Sequence, residues 1–283
     1  PQRTSYATDH VLFELCAAEQ LRAFAAAARC TPFTVLLALV HLLVMRLIGE
    51  DDIVVGTPAT QRSRPDLNRQ IGLLLSVVPL RADLSGNPTF SELLTRMACT
   101  FGDLTYRGLP FELMAGDQAG GQGAPTDVAP RVMVTLVAAP FSTVDHRPDD
   151  AGLALPGATV ESSWTKLESL PVELSFVFQN GRDHIGCRLA YAGALFDRPT
   201  IEHWARGLRS LLAAAMSDPA RRLSELPILD DEGRSLIAET HRTVLEVSGD
   251  SIQALVTAQA ERTPDAVAVE YGEARVTYRD LDQ

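Results

Sequence analysis

Cysteine is scarce in this sequence and carries no pattern. The four residues, Cys16, Cys30, Cys99 and Cys187, show no CxxC or CxxH spacing. That argues against a thiolate metal centre, and they read as small buried apolar side chains of a reducing compartment. Positive charge is in deficit too. The 283 residues sum to −11, a poor match for a nucleic-acid phosphate backbone. The one local basic group, Arg62, Arg64 and Arg69, reads as a solvated loop. Long apolar runs are missing: Phe33 to Leu47 is the longest, falls short of the roughly 20 residues a bilayer needs, and contains His41 and Arg46. The opening, PQRTSYATDH, is polar and lacks a signal-peptide pattern, so a cytoplasmic protein without membrane attachment is expected. Among the six histidines, His10, His41, His146, His184, His203 and His241, no two are adjacent. No Gly-x-Ser-x-Gly frames a nucleophile. The acid pairs Asp51-Asp52 and Asp149-Asp150 read as turns. There is no internal repeat and no low-complexity tract.

What is present is an ordinary globular composition, 46% hydrophobic and 22% charged. His10 to Leu15 reads as a short strand and Ala17 to Arg29 as a helix. Thr31-Pro32 is a helix start, with Thr as N-cap and Pro at the first helical position. That helix runs to about Leu47, stops at Gly49, and is apolar nearly all round, as a buried helix is. Asp52 to Gly56 is a buried strand, Thr57 to Arg69 with its two prolines a crossing loop, and Ile71 to Leu80 a second strand. Pro88 to Tyr106 has a helical stripe of Phe90, Leu93, Leu94, Met97 and Phe101. Ala115 to Pro130 is a Gly- and Pro-rich loop. Val132 to Ala138, Val172 to Phe178 and Ile185 to Tyr191 are strands. In the second of these the period-2 alternation marks one buried face. Asp197 caps a long helix to Met216. Leu223 to Gly249 has linker composition. A helix (Ser251 to Arg262) and a strand (Ala266 to Tyr271) follow, and the last pattern is cut off at Gln283, too soon for a core of its own. The expectation is a mixed α/β protein; periodicity by itself assigns no function.

The order of short motifs does. Thr31 to Leu67 holds a long apolar helix followed by Gly49, Asp51, Asp52, Gly56, Thr57, Pro58, Arg64 and Pro65, in the order Gly-x-Asp-Asp, three apolar residues, Gly-Thr-Pro and an Arg-Pro loop. Ile71, Gly72 and Arg81 fit Ile-Gly-x-Phe-Val-Asn-Thr-x-x-x-Arg, with Ser76 for its Asn and Val77 for its Thr. Pro110, Phe111 and Glu112 fit the end of His-Gln-Asp-x-Pro-Phe-Glu, whose polar triplet is replaced by Tyr106-Arg107-Gly108. Glu173-Leu174, Tyr191 and Leu195-Phe196-Asp197 fit closing strands and a final helix, and Ala260 to Leu281 (AERTPDAVAVEYGEARVTYRDL) resembles the opening of an adenylation domain. The whole series resembles the C-terminal half of a nonribosomal peptide synthetase condensation domain, followed by a linker and the start of an adenylation domain.

This resemblance implies a chloramphenicol-acetyltransferase-like subdomain over residues 1–227, with a mixed sheet and packed helices, a linker over 228–250 and an adenylation fragment over 251–283. The implied reaction is amide formation between carrier-bound thioesters. Partners would be the N-terminal condensation half, upstream and downstream carrier domains and the adenylation domain. Phosphopantetheine would arrive on the carriers, with no cofactor or metal bound directly. The family's His-His-x-x-x-Asp-Gly is absent from these residues, so the chain offers no catalytic residue and is expected to be inactive alone. Ser76, Gly72 and Thr57 are the tunnel or cleft candidates. Ser76 offers one hydroxyl where the family's Asn offers a donor and an acceptor. Arg81 is expected to pair with an acid and, with Pro110, Phe111 and Glu112, to be structural. Arg107 is a candidate for docking an acidic carrier. The replaced residues at Ser76, Val77 and 106–108 leave open a degenerate domain that recruits a partner. The adenylation start weighs against this, as it does against an epimerisation domain or a coenzyme A acyltransferase.

Overall fold

A computed structural model describes residues 6–60, 70–72, 74–107, 130–138, 169–170, 172–240 and 251–282. They fall into two compact units, Pro1–Gly233 and Arg234–Gln283.

The first unit is built on a seven-stranded sheet ordered β3-β2-β4-β6-β7-β1-β5. The strands are β1 (Tyr6–Ala17), β2 (Asp52–Thr60), β3 (Leu75–Asp83), β4 (Val132–Ala138), β5 (Ser169–Leu170), β6 (Leu174–Asn180) and β7 (His184–Ala192). β2, β4 and β6 run parallel to one another and the other pairs are antiparallel. A mixed sheet of this kind is the α/β arrangement expected. Helices α1 (Ala18–Ala27), α2 (Pro32–Ile48), α3 (Phe90–Arg107) and α4 (Arg198–Ser217) share one core with a single face of the sheet. That face carries Val55, Leu80, Val134, Phe176, Phe178, Cys187 and Leu189.

Local chemistry explains the helix ends. Thr31 Oγ1 accepts the Thr34 N–H at 3.1 Å, and Gly49 closes α2 in the left-handed region at φ 77°, where glycine carries no Cβ penalty. Asp197 caps α4 through the Thr200 N–H at 2.9 Å. Residues Val35 to Leu43 of α2 are buried without a gap, so α2 is the axis around which the other helices pack.

Four expectations need correction. β2 continues through Thr60, where a loop from Thr57 was expected. Pro58 reads as a breaker, but β2 meets β4 at one register point, Gly56↔Met133, and proline is tolerated where one side of a strand is open. The other end of that expected loop, 61–69, and with it Arg62, Arg64, Pro65 and Arg69, lies outside the described residues. β3 starts at Leu75, and Ile71 is fully exposed. The outer face of β6 is not solvated: Ser175 and Gln179 are buried as well as Leu174, Phe176 and Phe178. Of the cysteines, Cys187 is buried, Cys16 and Cys30 are half-buried, and Cys99 is exposed, because it sits on the side of α3 away from Phe90, Leu93, Leu94 and Met97.

The first unit runs to Gly233, inside the helix that follows its last turn. A short 3₁₀ turn, Leu223–Glu225, is followed by α5 (Asp231–Thr240). Before it, Ile228 packs against the core, and Arg206 pairs with Asp230 at 3.2 Å. Gly207 makes this docking possible, since a Cβ there would stand 2.7 Å from the Ile228 carbonyl oxygen. Gly207→Ala is therefore expected to push the segment off α4 and destabilise the fold by about 1–3 kcal/mol. Urea denaturation checks this; an unchanged midpoint would show that the close approach is not structural.

The second unit holds α6 (Ile252–Arg262), a hairpin of β8 (Val267–Tyr271) and β9 (Ala274–Thr277), and α7 (Tyr278–Leu281). Ile252, Leu255, Val267, Val269, Tyr271 and Leu281 are exposed there, a larger apolar surface than so small a unit can bury for itself.

Candidate functional site

Strand register relates the candidate residues to one another. Gly56 of β2 is level with Met133 of β4, and Met133 with Ser175 of β6. Three residues on come Ala59, Leu136 and Phe178, and Ala59 pairs with Ser76 of β3. Ser76 therefore stands in the row of the sheet where the parallel strands β2, β4 and β6 approach their carboxyl ends. That is the edge at which open α/β sheets hold their ligands. The next row carries Leu75, Thr60, Val137, Gln179 and Gly186. From β3 to β6 is three strand spacings, about 14 Å.

Ser76 is half-buried on the helix-facing side of β3. Thr57 is buried on the same side, opposite Val78. Gly72 lies in a bend ahead of β3 with φ 153°, a conformation that side chains disfavour. The structure thus brings Ser76 and Thr57 to neighbouring strands near one edge. Val77, in place of the motif's Thr, faces the side of the sheet that carries no helix among the described residues (the helix-free side below), where its Cγ1 would meet a Cβ at Gly56 at 3.2 Å, with Pro130 Cβ at 3.0 Å. Gly56 is required by that close approach.

Arg81 forms a two-pronged pair with Asp52 on the helix-free side of β2 and β3: its Nε donates to Oδ1 at 2.7 Å and its terminal nitrogen to Oδ2 at 2.6 Å. Both groups are exposed. The hydrogen bonds hold the Asp52 carboxyl below the usual carboxylate range. Arg107 closes α3, and its side chain lies outside the described residues, as do Pro110, Phe111 and Glu112.

The histidines have quiet surroundings. His41 is buried with both ring nitrogens against carbonyl oxygens. His184 Nδ1 lies 2.7 Å from Glu14 Oε1. His203 Nδ1 accepts from Arg206 at 2.9 Å. His146 and His241 lie outside the described residues. Burial pushes the Cys16 thiol up to about 11, with Glu14 adding to it, and raises Cys187 further, so neither is a ready nucleophile. Among the described residues no three His, Cys, Asp or Glu side chains converge as metal ligands.

Sequence reasoning missed Gln179. It is 1% exposed, on the helix-free face of β6, and neither its amide nitrogen nor its amide oxygen has a hydrogen-bond partner. Its cross-strand neighbours are Val137 and Gly186. The first cannot hydrogen-bond through its side chain, and the second has none. The signal was a polar residue one place beyond the expected strand end, in phase with Ser175 and Val177.

Comparison with known proteins gives this geometry a family. Residues 1–238 match the Condensation domain. Malpinin synthetase of Mortierella alpina is 32% identical over 255 residues, covering 89% of this chain and 3% of that protein. The X-domain solved in complex with OxyB from teicoplanin biosynthesis superposes with a TM-score of 0.65 at 25% identity, over 82% of this chain and 50% of that one. A four-domain nonribosomal peptide synthetase bound to AMP and glycine shares the fold with a TM-score of 0.71 at 16% identity, over 99% of this chain and 22% of that one. The chain spans half of the X-domain chain and a small fraction of the synthetases.

Proposed function

Since the chain belongs to the condensation domain family, we propose that it is the C-terminal half of a domain that joins two carrier-borne aminoacyl or peptidyl thioesters in a nonribosomal peptide synthetase. The observation that carries this reading is the family match over residues 1–238. In the reaction the acceptor's α-amine adds to the donor's thioester carbonyl. A tetrahedral oxyanion forms, the amine loses a proton, and the carrier's thiolate leaves as the amide closes. Such a step needs two held reactants, a proton acceptor and donors for the oxyanion.

This half supplies positioning. Ser76, Gly72 and Thr57 line one wall of the substrate passage at the carboxyl edge of the sheet. Arg81 and Asp52 brace the strands that carry them, and Pro110, Phe111 and Glu112 are structural in the same sense. Arg107 meets an acidic carrier domain. The half that precedes it in a complete domain supplies the His-His-x-x-x-Asp-Gly motif, and the carriers bring phosphopantetheine with the substrates. Leu12 and Val54, exposed on the helix-free face, are apolar surface of the kind another part of the protein covers. Residues 251–283 open an adenylation domain, and the protein works in the cytoplasm. No single helix among the described residues is long and apolar enough to cross a membrane.

The test uses purified 1–283 and the complete domain, each with donor and acceptor loaded on carrier domains and products read by intact-protein mass spectrometry. The complete domain is expected to give dipeptidyl carrier and 1–283 none above the no-protein control. Product from 1–283 would overturn the division of labour. No product from the complete domain would favour a partner-recruiting role.

A further inference from the structure

We draw no further inference here: the strongest candidate, the cleft around the first turn of α3 that Arg96 and Arg222 line, carries nothing, because Glu92 and Asp83 beside these arginines balance their charge and no second feature among the described residues points to a ligand.

Discussion

Replacing both Leu223 and Leu226 by alanine is expected to bring the first unit close to unfolding. The two side chains are 0% and 1% exposed, and truncating a buried leucine costs about 2–5 kcal/mol. Both belong to the same core cluster, so the losses need not add. Even about 4 kcal/mol is a large part of a usual stability of 5–15 kcal/mol. The polar anchoring of the segment adds to the effect. A terminal nitrogen of Arg46 donates to the carbonyls of Leu223, Ser224 and Leu226 at 3.1, 3.2 and 2.8 Å. Asn87, held at φ 50°, donates to Ser224 Oγ at 2.9 Å and accepts the Ser224 N–H at 3.0 Å. Once the leucines no longer seat the turn, these bonds lose their geometry. The contrast is Leu236→Ala in α5, where the side chain is 56% exposed and the change should stay within about 0.5 kcal/mol. Urea denaturation of the three proteins decides the matter. A double variant with the native midpoint would mean the segment is only laid on the surface.

That segment shows what the sequence makes visible. Leu223 to Gly249 is readable as a linker by its composition. Its docking on α4 depends on Gly207, which lies inside a helix with nothing local to mark it. Helices α2 and α4 are legible nearly to the residue, because Thr31, Gly49 and Asp197 cap them by chemistry confined to one turn. β2 is legible only to Gly56, since Pro58 breaks strands unless a partner's absence excuses it, and that absence belongs to the sheet. The site divides in the same way. Ser76, Gly72 and Thr57 stand out through short motifs. Gln179 does not, for two reasons: the alternating pattern ends at Phe178, and its isolation depends on Val137 and Gly186, which are distant in the chain. Which residues stand level with Ser76 comes from register across four strands, and no local pattern encodes it.

His41 supports the other large effect. It is 0% exposed and joins α2 to β3: Nδ1 lies 2.8 Å from the Leu37 carbonyl oxygen and Nε2 3.1 Å from that of Leu80. Burial is the larger influence on the ring and lowers its pKa, while the two carbonyls pull weakly the other way. The folded chain therefore holds the ring neutral in a range where the unfolded chain, with a histidine pKa of about 6.5, takes up a proton. The unfolded state then binds more protons, and stability falls as pH drops. The contribution is fully present above about pH 7 and declines below about pH 6.5, by at most about 1.4 kcal/mol per pH unit. Carboxylates act in a separate window. Asp52, Asp83 and Asp197 are held below their ordinary range by hydrogen bonds, so their stabilisation persists until the pH nears theirs, below about 4. Two variants separate the terms. His41→Ala should cost about 3–5 kcal/mol at pH 7.5, through the cavity and the broken link to β3. His41→Gln, which can still donate to the Leu80 carbonyl but cannot titrate, should cost less and should flatten the change in denaturation midpoint between pH 7.5 and 5.5. Equal pH dependence in the native chain and His41→Gln would show that the acid sensitivity arises elsewhere.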